Sequence, residues 1–120
     1  MTVIDTAHPL SNMDLALDTA LTGLTPKILE SYLEAKHLPA SDSHDFEFEP
    51  VGFTTQTVAG TNYYVKLLVH DKCHTDKQTK EYIHIRIFVQ VWTNTIQLTG
   101  LSVDKHESDS LRGPIAEIVE

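Results

Sequence analysis

"YIHIRIFVQVW", residues 82–92, alternates without a break. Ile83, Ile85, Ile87, Val89 and Val91 fall on one side, and Tyr82, His84, Arg86, Phe88, Gln90 and Trp92 on the other. A period of two, with β-branched residues on the apolar side, marks an antiparallel strand that buries one face. Working outward, "TNT", 93–95, reads as a turn, and Ile96 to Asp104 as the strand that pairs back. Upstream, "HDKCHTDKQTKE", 70–81, is a polar loop, and Tyr63 to His70 is another strand. Phe46, Phe48, Val51, Phe53 and Thr55 begin an earlier strand, with an irregularity expected at Pro50.

Before "HLPASDSHD", the loop at 37–45, the period changes. Leu10, Met13, Leu17, Ala20, Leu21, Leu24, Ile28, Tyr32 and Ala35 recur at three- and four-residue steps. That is the apolar stripe of an amphipathic helix. Ser11 followed by Asp14 reads as a variant capping box at its start. Pro26 lies inside the pattern but the stripe keeps phase across it, which predicts one helix kinked at Pro26, Asn12 to His37, with two helices as the alternative. A stripe of that length needs a sheet to cover, and hairpins joined by short turns supply one. The expected class is α+β, with one long N-terminal helix wrapped by a four- to five-stranded antiparallel sheet. Residues 1–120 are read as a single domain, with 1–9 an extended trunk and 105–120 a polar tail carrying Ile115, Ile118 and Val119.

Nine basic against 17 acidic residues give a net charge of -8, so the chain offers no basic stripe for a nucleic acid. Solubility accounts for the acidity. The one cysteine, Cys73, forms no internal disulfide, which points to a reducing, cytoplasmic setting. The start "MTVIDTAHPLSNMD" reads as no signal peptide, and no apolar run approaches a membrane span.

Between two of the strands lies "QTVAGTNYY", 56–64, small, neutral and bare of charge. A turn needs a glycine and some polarity, but not such an uncharged, smooth tip. Trp92 stands at the other hairpin end, where a tryptophan is an effective anchor if exposed or a cover for the sheet edge if folded back.

The order of these segments resembles the stefins, the type 1 cystatins. "QTVAG" matches the Gln-x-Val-x-Gly hairpin of that family, and "QTVAGTNYYVK" is similar to the stefin version. Pro26 matches a helix proline of stefins, "YIHIRIF", 82–88, their long strand, and "LTGLSVDKHESDSL", 98–111, their last strand and tail. The resemblance covers Leu10 to Leu111 and implies a cystatin-like fold and reversible, tight, non-covalent inhibition of papain-like cysteine proteases of the cathepsin type. It implies no catalysis and no cofactor. It assigns the central wedge to Gln56, Thr57, Val58, Ala59 and Gly60, the second wedge to Trp92 and Thr93, and the trunk contact to Val3, Ile4 and Asp5. It also implies a monomer that is able to exchange its helix and first long strand in a domain-swapped dimer.

The chain departs from stefins in three places. No glycine precedes Gly23, so Asp5 or a neighbour stands where the stefin trunk has glycine. Val91-Trp92 replaces the more usual Leu-Pro in a shorter second loop. Insertions lie before the first long strand, ending in "HDFEFEP", and in "HDKCHTDKQTKE", the latter expected at the end of the sheet away from the wedge. These departures motivate the alternative of a non-inhibitory cystatin-fold interaction module.

His70, Cys73 and His74 fall short of a four-ligand zinc site, and no orienting group makes a Cys-His nucleophile of them. His84 reads as a packed strand histidine on the face away from the helix, and the carboxylates of "HDFEFE" as a solvated strand face.

Overall fold

The computed structural model describes residues 8–9, 15–39, 46–71, 81–105, 109, 111 and 115. The elements are β1 (His8–Pro9), α1 (Leu15–Ala35), β2 (Phe46–Val58), β3 (Gly60–Asp71), β4 (Glu81–Gln90), a 3₁₀ turn (Val91–Thr93) and β5 (Thr95–Lys105). The sheet is an antiparallel meander in the order β1-β2-β3-β4-β5, with β1 a two-residue strand on its edge. This is the expected α+β architecture, one helix followed by a sheet.

The helix is one element, continuous across Pro26, so the two-helix alternative is set aside. Pro26 has no N–H to give to Thr22 O, and both residues lie on the exposed side of the helix, where a missing bond costs least. Nearby, Thr22 Oγ1 donates to Asp18 O at 3.0 Å and Thr25 Oγ1 to Leu21 O at 2.8 Å. The helix stops two residues before the expected His37. His37 takes the left-handed conformation at φ 58°. Leu38 N then donates to Leu33 O and His37 N to Glu34 O, the paired bonds of a Schellman ending. The expected end of the stripe, Ala35, is exposed, and Leu33 takes its place in the core. Leu10, Met13 and the Ser11–Asp14 cap lie outside the described residues.

The first long strand breaks register between Pro50 and Gly52, where the irregularity was expected. A proline cannot complete the ladder, and the bulge adds the twist that lets the sheet wrap. Beyond the bulge, β1 pairs His8 with Phe53 and Pro9 with Gly52.

The core lies between helix and sheet. Leu17, Ala20, Leu21, Ile28, Tyr32 and Leu33 meet Val65, Leu67, Val69, Ile83, Ile85, Ile87, Leu98 and Leu101. Tyr32 stacks edge-on against Phe46 and Phe48, with centroids 5.2 and 5.4 Å apart. Its hydroxyl donates to Glu81 Oε2 at 3.0 Å. Lys36 Nζ donates to Asp104 Oδ1 at 2.7 Å and lies 3.5 Å from Glu81 Oε2. The Asp104 bond, helped by the Glu81 charge, raises the lysine above its ordinary value. This cluster fastens the C-terminal end of α1 to one end of the sheet and leaves the other end to the hairpin tips.

Two expectations about residues 82–92 are corrected. The strand does not bury one face alone: Tyr82 and His84, on the face away from the helix, are buried too. The chain after β5 returns over that face, where Leu111 and Ile115 pack with Tyr64. Lys66 Nζ, from the residue paired with His84, donates to Asp109 O at 2.6 Å. Val91, expected inside, is outside, because β4 ends at Gln90 and the chain tightens into the 3₁₀ turn. The tail residues Ile118 and Val119 lie outside the described residues.

Candidate functional site

The two hairpins turn at the same end of the sheet. In the first, Val58 pairs with Gly60 and only Ala59 stands between them. In the second, Gln90 pairs with Thr95 across Val91–Asn94, with Asn94 left-handed at φ 54° and its N–H returned to Val91 O. The two hairpins are joined by β3 and β4, whose ladder ends at Thr61 and Val89.

Gly60 makes the first tip. Its φ is +130°, and a Cβ there would sit 2.7 Å from Val89 O and 2.8 Å from the Phe88 ring. Only glycine combines that backbone with that closeness. Gln56 sits at the base of this hairpin rather than at its tip. It is half-buried, and its Oε1 accepts from Asn62 Nδ2 at 3.2 Å and Tyr64 OH at 3.0 Å. It staples β2 to β3. Thr57, Val58 and Ala59 are exposed beyond it.

The second tip is more exposed still. Val91 is 79% and Trp92 71% exposed, so Trp92 is not folded back over the sheet edge. Ile96, one residue into β5 beyond Thr95, is also exposed. Val58, Val91, Trp92 and Ile96 are the exposed large apolar side chains among the described residues, and all lie at this end. Neither 50–65 nor 87–103 contains an Asp, Glu, Lys, Arg or His. Both hairpins are therefore apolar at their tips and uncharged along their flanks.

Side-chain bonds tie the two tips together. Gln90 Nε2 donates to Ala59 O at 2.7 Å, and Thr93 Oγ1 donates to Gln90 Oε1 at 2.6 Å. Thr93 also meets Thr95 Oγ1 at 2.8 Å. Gln90, Val91 and Ile96 were not among the expected site residues. The uncharged run around Trp92 was the available signal for them.

Val3, Ile4 and Asp5 lie outside the described residues, as do Cys73 and His74. At the opposite end of the sheet His70 Nε2 lies 2.9 Å from Glu49 Oε1, a diagonal neighbour on the adjacent strand. Residues 72–80 lie outside the described residues; Asp71 and Glu81, which flank them, are at that end, away from the tips. Among the described residues no group of His, Cys, Asp and Glu is placed to hold a metal ion, and no helix is long and apolar enough to cross a membrane.

No protein-family model matches the chain. Individual relatives do. Cystatin-A of Felis catus is 37% identical over 93 residues, spanning 74% of this chain and 87% of that protein. Cystatin-A of Homo sapiens is 36% identical over 69 residues, 56% of this chain and 62% of that protein. Leukocyte cysteine proteinase inhibitor 1 of Sus scrofa is 34% identical over 93 residues, 74% of this chain and 82% of that protein.

Proposed function

The chain belongs to the cystatins, in their stefin-type branch, and from that premise we propose that it is a reversible, tight-binding inhibitor of papain-like cysteine proteases, acting through the paired hairpin tips. The observation that carries this is the gathering of Val58, Val91 and Trp92, exposed, at the tips of two uncharged hairpins. A cleft that binds extended peptide presents apolar walls and backbone groups, and a charge buried there without a partner is costly. A narrow, neutral wedge avoids that cost.

The tips are also held before they bind. Gln56 staples the base of the first hairpin, and Gln90 bonds its tip. Little conformational freedom is then lost on association. The Ala59–Gly60 peptide is bent by the +130° φ and the Ala59 carbonyl is engaged by Gln90, so the tip does not offer the extended peptide a protease cuts. Inhibition proceeds by occupation alone, with no covalent bond and no catalysis by the chain. The trunk contact falls to Val3 and Ile4, with Asp5 or a neighbour in the position where stefins have glycine. A single cysteine fits a reducing compartment.

Active-site titration of papain and of a cathepsin tests the reading. The wild-type protein is expected to titrate both at one to one. Trp92→Ala is expected to raise Ki about 30-fold, the cost of removing an aromatic anchor of about 2 kcal/mol. Failure to inhibit either enzyme at micromolar protein would overturn the reading in favour of a non-inhibitory interaction module.

The one-residue tip is also the hinge of a domain-swapped dimer. Straightening Ala59 would make β2 and β3 continuous and let two chains exchange α1 and β2. Partial unfolding and refolding is expected to add a dimer peak in size-exclusion chromatography, and an unchanged monomer peak would count against the exchange.

A further inference from the structure

We propose that Gln90 is a positioning residue that locks the two hairpin tips into one rigid wedge, an inference that rests on the inhibitory reading above. The backbone ladder between the hairpins ends at Thr61 and Val89. Beyond that pair the tips project without a shared strand. Gln90 stands where the ladder stops, and its side chain crosses the gap to Ala59 O at 2.7 Å.

The orientation of the amide follows from its partners. A carbonyl oxygen accepts only, so the side facing Ala59 must be the NH₂. That turns Oε1 toward Thr93, whose hydroxyl donates at 2.6 Å. Thr93 has one proton, and the 2.6 Å bond takes it ahead of the 3.3 Å approach to Gln90 O, so Thr95 is the donor in the 2.8 Å contact between the two hydroxyls. A directed chain runs from Thr95 through Thr93 and Gln90 to the tip of the other hairpin. Both ends of it lie beside the residues proposed to enter the cleft, Ala59 on one tip and Trp92 on the other. Gln90 therefore sets the distance between the two contacts, which the cleft must match.

No charged or titratable group lies within 87–103 or 50–65 apart from Tyr63 and Tyr64, so a charge placed at position 90 has no partner along these segments. Two substitutions separate a lock from a simple contact. Gln90→Ala removes the bridge and is expected to raise Ki about tenfold, with the thermal midpoint nearly unchanged, because the bond is solvent-exposed and at the end of the sheet. Gln90→Glu keeps the reach but turns an acceptor toward an acceptor. At pH 7 it is expected to inhibit less well than Gln90→Ala. At pH 4.5, where the carboxyl gains a proton to donate to Ala59 O, its Ki is expected to move back toward that of the wild type measured at the same pH.

In the free proteins, ¹⁵N relaxation reports the lock without a protease. Ala59 and Asn94 are expected to gain fast motion together in Gln90→Ala. Unchanged relaxation at both tips, a Ki for Gln90→Ala within twofold of wild type, or a Gln90→Glu variant whose relative Ki ignores pH would each overturn the proposal. Should the wild type inhibit nothing, the inhibitory reading fails, and the relaxation measurement still decides whether the tips are locked.

Discussion

Gly60→Ala is expected to weaken inhibition by at least about 100-fold while leaving the fold in place, an effect of about 3 kcal/mol at the tip. Two costs coincide at this position. The backbone stands at φ +130°, which an alanine adopts only under strain of about 1–3 kcal/mol. The added Cβ would also meet Val89 O at 2.7 Å and Phe88 ring carbons at 2.8 and 2.9 Å. A phenyl ring is able to turn, but a backbone carbonyl in the last pair of a ladder moves only with its strand. Relief comes from opening the Val58–Gly60 pair or from pushing β4 outward. The first deforms the central tip. The second displaces Gln90, which follows Val89, and so moves Val91 and Trp92 as well. Either way both proposed contacts lose their geometry. The core between α1 and the sheet meets this end at Val89, and the strain is borne by the folded state, so the thermal midpoint should fall by about 4 °C for each kcal/mol of it. A Ki within threefold of wild type would show that the tip shape is not what binds. Gly60→Glu adds charge to the same distortion and cannot separate the two, whereas Val58→Asp tests charge on an intact tip.

That prediction depends on details of which the sequence discloses some and conceals others. The long strand and the helical stripe are legible because backbone periodicity imprints itself on side-chain type: two for Ile83, Ile85 and Ile87, and 3.6 for Leu17, Leu21, Ile28 and Tyr32. The tips are legible through composition, since an exposed segment without charge is unusual. What is not legible depends on residues far apart in the chain. His84 is buried because residues beyond Lys105 return over it, and nothing local to 82–88 announces that cover. Gln90 reaches Ala59 because strand register places them together, a fact no pattern within either hairpin contains. Val91 changes sides because β4 ends one residue before it, and alternation is blind to where a strand stops. His37 ends the helix in a left-handed conformation, a position where glycine is the readable signal and histidine is not.

The buried histidine makes acid the second large lever. Between pH 6.5 and 4 the folded protein is expected to lose about 3 kcal/mol of stability on account of His84 alone. Its side chain is 2% exposed, and burial pushes the imidazole from 6.5 down to about 4. Lys66 and Lys105 oppose the proton further, and the Asp109 carboxylate favours it to a smaller extent. Protonation would also make Nε2 a donor, and that atom has no hydrogen-bond partner among the described residues. The unfolded chain, with its ordinary histidine, binds the proton first. Stability from this group is therefore complete above pH 6.5, declines as pH falls toward 4, and is gone below that. Other groups add their own slope near pH 4, so the test is a difference. Denaturant unfolding of the wild type and of His84→Leu, compared across pH 7 to 4, should show the variant losing less by about 3 kcal/mol, since leucine keeps the site apolar and carries no proton. Parallel pH profiles would sink the assignment. The inhibitory tips carry no such group, so their share of binding, measured where the protein remains folded, should depend on pH only as the protease does. Acid is then expected to limit this inhibitor by unfolding it rather than by disarming its wedge.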